Sequence, residues 1–198
     1  MSSVAYAIPR RGALADSVWA RSRVRDAVLV LGAAGLTALA AQISVPVPGS
    51  PVPVTLQTFA VLVTAAALGA TRGALGQLLY LAIGAAGLPV FSGATGGLST
   101  VLGATGGYLL GFVVAGYLVG ALAQRGADRR VAGTLLAYLA GSAAIYAVGV
   151  PVLAAVTHQS LGWAVLHGLV PFLVGDVLKA VAASAALPAA WRVMGRRR

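Results

Sequence analysis

Asp176 and Lys179 are the only ionisable residues of the apolar run 171–191, and they stand three apart. On a helix that spacing puts both side chains on one face, about one turn apart. If the run crosses a membrane, each charge costs about 2.5–3.5 kcal/mol near the helix centre, and a buried pair rarely repays its desolvation. Two leucines would cost less, so the pair reads as a polar solute site in preference to a tie between helices. Lys179 can neutralise a carboxylate or donate hydrogen bonds, and Asp176 can accept from N–H groups. Gln57, Thr55 and Thr58 add neutral donors and acceptors, and Tyr80, Tyr108 and Tyr146 add ring faces that carry hydroxyls. Such a pocket suits a small, mainly apolar ligand with one amide-like end and one charge. Pro171 fits a first helical turn, from which Asp176 lies roughly 8 Å and Lys179 roughly 12 Å along the axis.

The elements that must position these groups follow from composition. Hydrophobic residues make up 59% of the 198-residue chain and charged ones 9%, against roughly 25% charged in soluble domains; mean hydropathy is +0.91. The net charge of +10 alone suggests nucleic acid, but the arginines stand in clusters between long uncharged runs, and a nucleic-acid role is set aside. A hydrocarbon core about 30 Å thick needs roughly 17–25 apolar residues per helix. The expected fold class is an all-α membrane protein, a single compact bundle of six transmembrane helices near 27–45, 54–70, 73–90, 106–124, 131–150 and 171–191. An even number of spans puts both termini, the turn at Arg72 and the loop 125–130 on one side. Thirteen of the 14 basic residues, all but Lys179, then share that side, which the positive-inside rule makes the cytoplasm. A basic arm (1–26) and a basic tail (193–198) flank a membrane domain (27–192). Ala38-Leu39-Ala40 resembles a signal-peptidase site, but losing the first span would put Arg72 and the 125–130 arginines outside.

The spans are rich in Ala and Gly, as helices packing closely in lipid require. Ala34 and Ala38 belong to a smooth surface on the first helix that suits either internal packing or docking against another protein. The loop Val45–Pro53, with four prolines, is expected to be stiff, extended and non-helical. The loop after the third span holds Phe91, Ser92, Thr95, Gly96 and Gly97, and its Gly-Ala-Thr-Gly-Gly run recurs at Gly103–Gly107. Its apolar residues mark it as a lid or site wall, since a mere connector would not need them. Residues 161–170 suit a short helix at the outer surface, with Trp163 and Trp191 as interfacial anchors. His158 and His167 suit solvation better than ligand contact. The chain has no cysteine, no metal motif and no P-loop, so neither a cofactor nor an ATP site is expected within it.

Four segments together resemble the BioY family of biotin transporters: Pro51-Val-Pro-Val-Thr-Leu-Gln57, Gly87-Leu-Pro-Val-Phe91, Gly103-Ala-Thr-Gly-Gly-Tyr108-Leu-Leu-Gly111-Phe112 and Gly175-Asp176-x-x-Lys179. They run in order between about residues 30 and 185, with Ala104 where the family pattern has proline. The resemblance implies a substrate-binding S-component of an energy-coupling factor transporter in a bacterial-type cytoplasmic membrane. Its partners would be biotin, membrane lipids, a transmembrane coupling protein and two ATPases. It further implies that Asp176 and Lys179 hold polar groups of biotin, that the loop after the third helix closes over it, and that the Ala34/Ala38 surface docks the coupling protein. The alternatives are a proton-coupled transporter of another small carboxylate-bearing solute, with Asp176 as relay, and an intramembrane enzyme using the pair as acid and base. The enzyme reading lacks a nucleophile constellation.

Overall fold

Ser22 opens the first long helix by accepting a hydrogen bond from the Arg25 amide at 3.1 Å, the usual office of a serine N-cap. In the computed structural model residues 12–17 and 22–195 are described. Residues 1–11 and 18–21 of the expected 1–26 arm, with Arg10, Arg11 and Arg21, and Arg196–Arg198 of the tail lie outside them. The helices are α1 (Arg23–Ala41), α2 (Gln57–Leu68), α3 (Ala70–Ala85), α4 (Leu98–Val101), α5 (Gly106–Gln124), α6 (Val131–Thr157), α7 (Leu161–Gly168) and α8 (Leu173–Gly195). Strands β1 (Ser44–Val45) and β2 (Val54–Thr55) pair antiparallel, Val45 opposite Val54. They pinch the base of the proline-rich loop, whose prolines cannot extend the ladder.

The chain is mostly helical. By length and apolar composition four segments among the described residues are long enough to cross a membrane: Arg23–Ala41, Gly106–Gln124, Val131–Thr157 and Leu161–Met194. The last is α7 and α8 in sequence, interrupted by a 3-10 turn at Val170–Phe172. The boundaries expected for the second and third helices shift. Val54 is held in the strand pair, so α2 starts later. Gly69, at φ +84, ends α2 and begins α3 without a loop, a backbone angle open to glycine because it has no Cβ. The Arg72 guanidinium donates to the Leu68 carbonyl at 2.9 Å across this corner. α6 runs through Pro151 to Thr157, past the expected end at 150.

α5 is the central helix, packed by α6, α3 and α2; α1 leans on α3 and α2, and α8 on α6 and α2. Close approach explains the small residues. A methyl on Gly116 would stand 3.0 Å from the Gly73 carbonyl oxygen, and one on Gly73 2.9 Å from that of Gly116. The α3–α5 crossing is therefore made backbone to backbone.

Two polar clasps close the end of the bundle opposite the proline-rich loop. Asp16, in a short 3-10 turn, accepts from Arg25 at 2.8 Å and from Arg72 at 2.7 Å, while Asp26 accepts from Arg25 at 3.0 Å and Arg72 at 3.1 Å. Arg25 is 1% exposed, so this arginine is built into the protein instead of reaching lipid. At the far side, the Trp191 indole donates to buried Asp128 and the Arg129 guanidinium lies over the Trp191 ring, 4.7 Å from its centroid. Trp191, expected as an interfacial anchor, also ties α8 to the α5–α6 turn.

Candidate substrate site

α2, α5, α6 and α8 converge with the proline-rich loop and the α3–α5 loop around a cavity of about 300 Å³, the low end of the range for small-molecule sites. Lys179 reaches it from α8, two turns after the helix begins. Its ammonium donates to the Thr58 hydroxyl at 2.7 Å and to Asp176 Oδ1 at 3.2 Å. The Thr58 hydroxyl in turn donates to Asp176 Oδ1 at 3.4 Å, and the Tyr146 hydroxyl donates to Asp176 Oδ2. Asp176 is 7% exposed and thus accepts from three groups of the chain itself. An ammonium has three donors, so Lys179 keeps one for a ligand.

Aromatic rings wall the cavity. Tyr108, Tyr146 and Phe172 have mutual centroid distances of 6.4 Å, and the Tyr108 hydroxyl donates to the Gly168 carbonyl at 2.8 Å, fixing the ring to α7. Phe91 closes the opposite side, buried edge-on against Tyr80 with centroids 5.4 Å apart. Its ring fills the space where Gly84 would carry a Cβ, so only glycine lets the loop seat there. The Gly97 amide, at φ +92, donates to the Gly84 carbonyl at 2.7 Å and folds the loop back on α3.

Of the residues expected to form a site, Thr55, Gln57, Thr58, Phe91, Ser92, Thr95, Tyr108, Tyr146 and Lys179 line the cavity, and Asp176, Tyr80, Gly96 and Gly97 do not. Asp176 stands behind Lys179 and orients it. Tyr80 accepts from Gln57 Nε2 at 2.7 Å and donates to the Val90 carbonyl at 3.1 Å, so it supports the loop. Gly96 packs its backbone against the Leu88 carbonyl. Pro51, Val52, Pro53 and Phe172 line the cavity as well. Phe172, four residues before Asp176, was discoverable from helical spacing; the proline wall had no sequence signal beyond stiffness. Ala34 is 4% exposed and packs into the core, with Ala38 against it. The outward small residues of α1 are Gly32 and Gly35, where an added Cβ would meet nothing within 4 Å.

The arrangement is a small aromatic slot with one cationic donor, backed by a satisfied carboxylate and edged by hydroxyls. It can hold an uncharged body and one acceptor or anionic group. The model of the BioY family matches residues 13–196. The chain belongs to the BioY family. Among relatives, this chain is 40% identical over 149 residues to a biotin transporter BioY of Thermotoga maritima, covering 75% of this chain and 85% of that one. It is 36% identical over 168 residues to a biotin transporter BioY of Rhizobium etli, covering 81% and 89%. In fold, it resembles the crystal structure of an S-component for biotin from an ECF-type ABC transporter, with TM-score 0.75 and 24% identity over 87% of this chain and 95% of that one.

Proposed function

We propose that this chain is a high-affinity biotin-binding membrane subunit that mediates biotin uptake across the cytoplasmic membrane of a bacterial-type cell. The observation that carries the reading is Lys179: an ammonium with a donor to spare, at the wall of an aromatic slot of about 300 Å³ in a BioY-family chain. Biotin has an apolar chain, a carboxylate and a ureido ring: the aromatic walls suit its apolar body, and Lys179 suits one of its two polar ends. In this reading Lys179 meets the carboxylate or the ureido carbonyl. Phe91, Ser92, Thr95, Tyr108 and Tyr146 enclose the body, and Gln57 and Tyr80 hold the α3–α5 loop in register over it. Asp176 is the counter-charge that keeps Lys179 aimed.

We place six crossings in the domain 27–192 with both termini at the cytoplasm. α2 and α3 then act as the shorter spans, and the arginine-rich ends lie inside. Association with a transmembrane coupling protein and ATPase subunits is supported by the fold likeness to an S-component of an ECF-type transporter. With Ala34 turned inward, Gly32 and Gly35 carry the α1 face available to that partner.

The test is equilibrium binding of labelled biotin to the purified chain in lipid nanodiscs. Competition by biotin methyl ester assigns the end that Lys179 meets: a large loss of competition puts the carboxylate there. No saturable binding of biotin would reject the function.

A further inference from the structure

The turn that bears Phe91, Ser92 and Thr95 is a small rigid unit. The Phe91 amide donates to the Thr95 carbonyl at 2.9 Å, and the Thr95 hydroxyl donates to the Ser92 carbonyl at 2.9 Å. Within it Ala94 takes φ +54, the left-handed region that residues with a Cβ rarely adopt. Something must hold that conformation, and the neighbour that does so is Gln42, the residue that caps α1. Gln42 Nε2 has two N–H donors: one goes to the Ala38 carbonyl at 3.0 Å, the other is shared by the Phe91 carbonyl at 3.2 Å and the Val90 carbonyl at 3.4 Å, and Oε1 accepts from the Ala94 amide at 3.1 Å. The amide thus clamps both ends of the turn onto the end of α1.

The turn has two attachments of different character. The inner one is buried: Gln57 to Tyr80 to the Val90 carbonyl, with the Phe91 ring beneath. The outer one, Gln42, is exposed, so water competes for every bond it makes. An exposed attachment opens more readily than a buried one. We propose that Gln42 is a positioning residue, a latch that holds the α3–α5 turn closed over the cavity and sets how long the substrate stays. The proposal rests on the biotin-binding reading of the cavity. Because the latch belongs to α1, a shift of that helix end relative to α3 pulls on the turn that covers the cavity.

The experiment uses the full chain in nanodiscs, with association and dissociation of labelled biotin followed separately. Gln42→Ala is expected to raise the dissociation rate about ten-fold while leaving the association rate within about two-fold, since the closed state alone loses bonds. Gln42→Glu keeps the size and the acceptor for the Ala94 amide but cannot donate to the Phe91 and Val90 carbonyls; it is expected to speed dissociation as well. In both variants the Ala94 amide exchanges with solvent faster than in the parent chain, with or without biotin. Unchanged dissociation in either variant, or a loss confined to association, overturns the latch. Should the parent chain itself not bind biotin, the functional reading fails, and Ala94 exchange then decides the latch alone: equal exchange in parent and variants overturns it.

Discussion

Lys179 Nζ stands 2.7 Å from Thr58 Oγ1, so the start of α2 and the second turn of α8 are joined at the cavity wall. The bond does two things: it aims the ammonium at the cavity, and it relays to Asp176, since Thr58 also donates to that carboxylate. Removing Thr58 or Lys179 leaves the buried Asp176 carboxylate with fewer partners, a costly state in a low-dielectric interior.

Lys179→Ala and Asp176→Asn are each expected to weaken biotin binding ten-fold or more, about 1.4 kcal/mol. Thr58→Val, which keeps the shape and removes the relay, is expected to weaken it less. Titration with labelled biotin checks all three, and an unchanged Kd in both charge variants sinks the site assignment.

Gly84→Ala puts a methyl where the Phe91 ring lies. Overpacking of this sort costs about 1–3 kcal/mol, and here it lifts the loop from the cavity. Both thermal stability and biotin affinity are expected to fall. Phe91→Leu in the same chain should recover part of the stability, giving clear non-additivity in a double-mutant cycle.

Acid should release the segment 12–17. Burial pushes the Asp16 carboxyl up, but the hydrogen bonds from Arg72 and Arg25 outweigh it and hold the group below its ordinary range. A carboxyl lowered on folding adds stability that is complete above its unfolded value, about 3.9, and is lost as pH falls through the folded value. Proteolysis near residues 12–17 is therefore expected to be slow at neutral pH and to quicken only in strong acid. Asp16→Asn should be cut quickly at every pH, and equal rates for the two chains at neutral pH would remove the clasp.

Trp191→Phe deletes the indole donor to Asp128, one of whose carboxylate oxygens already lacks a hydrogen-bond partner. Burial already pushes this carboxyl above its usual range despite the Trp191 bond. Leaving a buried acceptor unmet costs about 1–3 kcal/mol. A lower melting temperature with unchanged biotin affinity is expected, because the clasp lies at the end of the bundle away from the cavity.

Much of this was legible in the residues. α5 was expected at 106–124 and is found there, because an unbroken apolar run between Gly-rich and Arg-rich borders leaves little choice. The short helix α7 fell within the expected 161–170. Periodicity placed Asp176 and Lys179 on one face, but a face does not tell depth, and the carboxylate proves to stand behind the ammonium. The inward turn of Ala34 was hidden for a related reason: alanine suits a protein neighbour and lipid alike, so composition alone does not orient it. α6 runs past its expected end, through Pro151 to Thr157, although an interior proline gives up one backbone hydrogen bond and by local rule marks a break. Nothing local marks Gln42, because the partners that tie it to the turn are main-chain atoms 48 to 52 positions away.

Asp176 and Lys179 lie 3.2 Å apart, opposite in sign and both held by the chain itself. An emptied pocket therefore presents no unbalanced charge to the electric field of a membrane, where one elementary charge is worth about 2.3 kcal/mol per 100 mV. On the proposed function, any voltage sensitivity of binding comes from the charge on biotin and not from the pair that receives it.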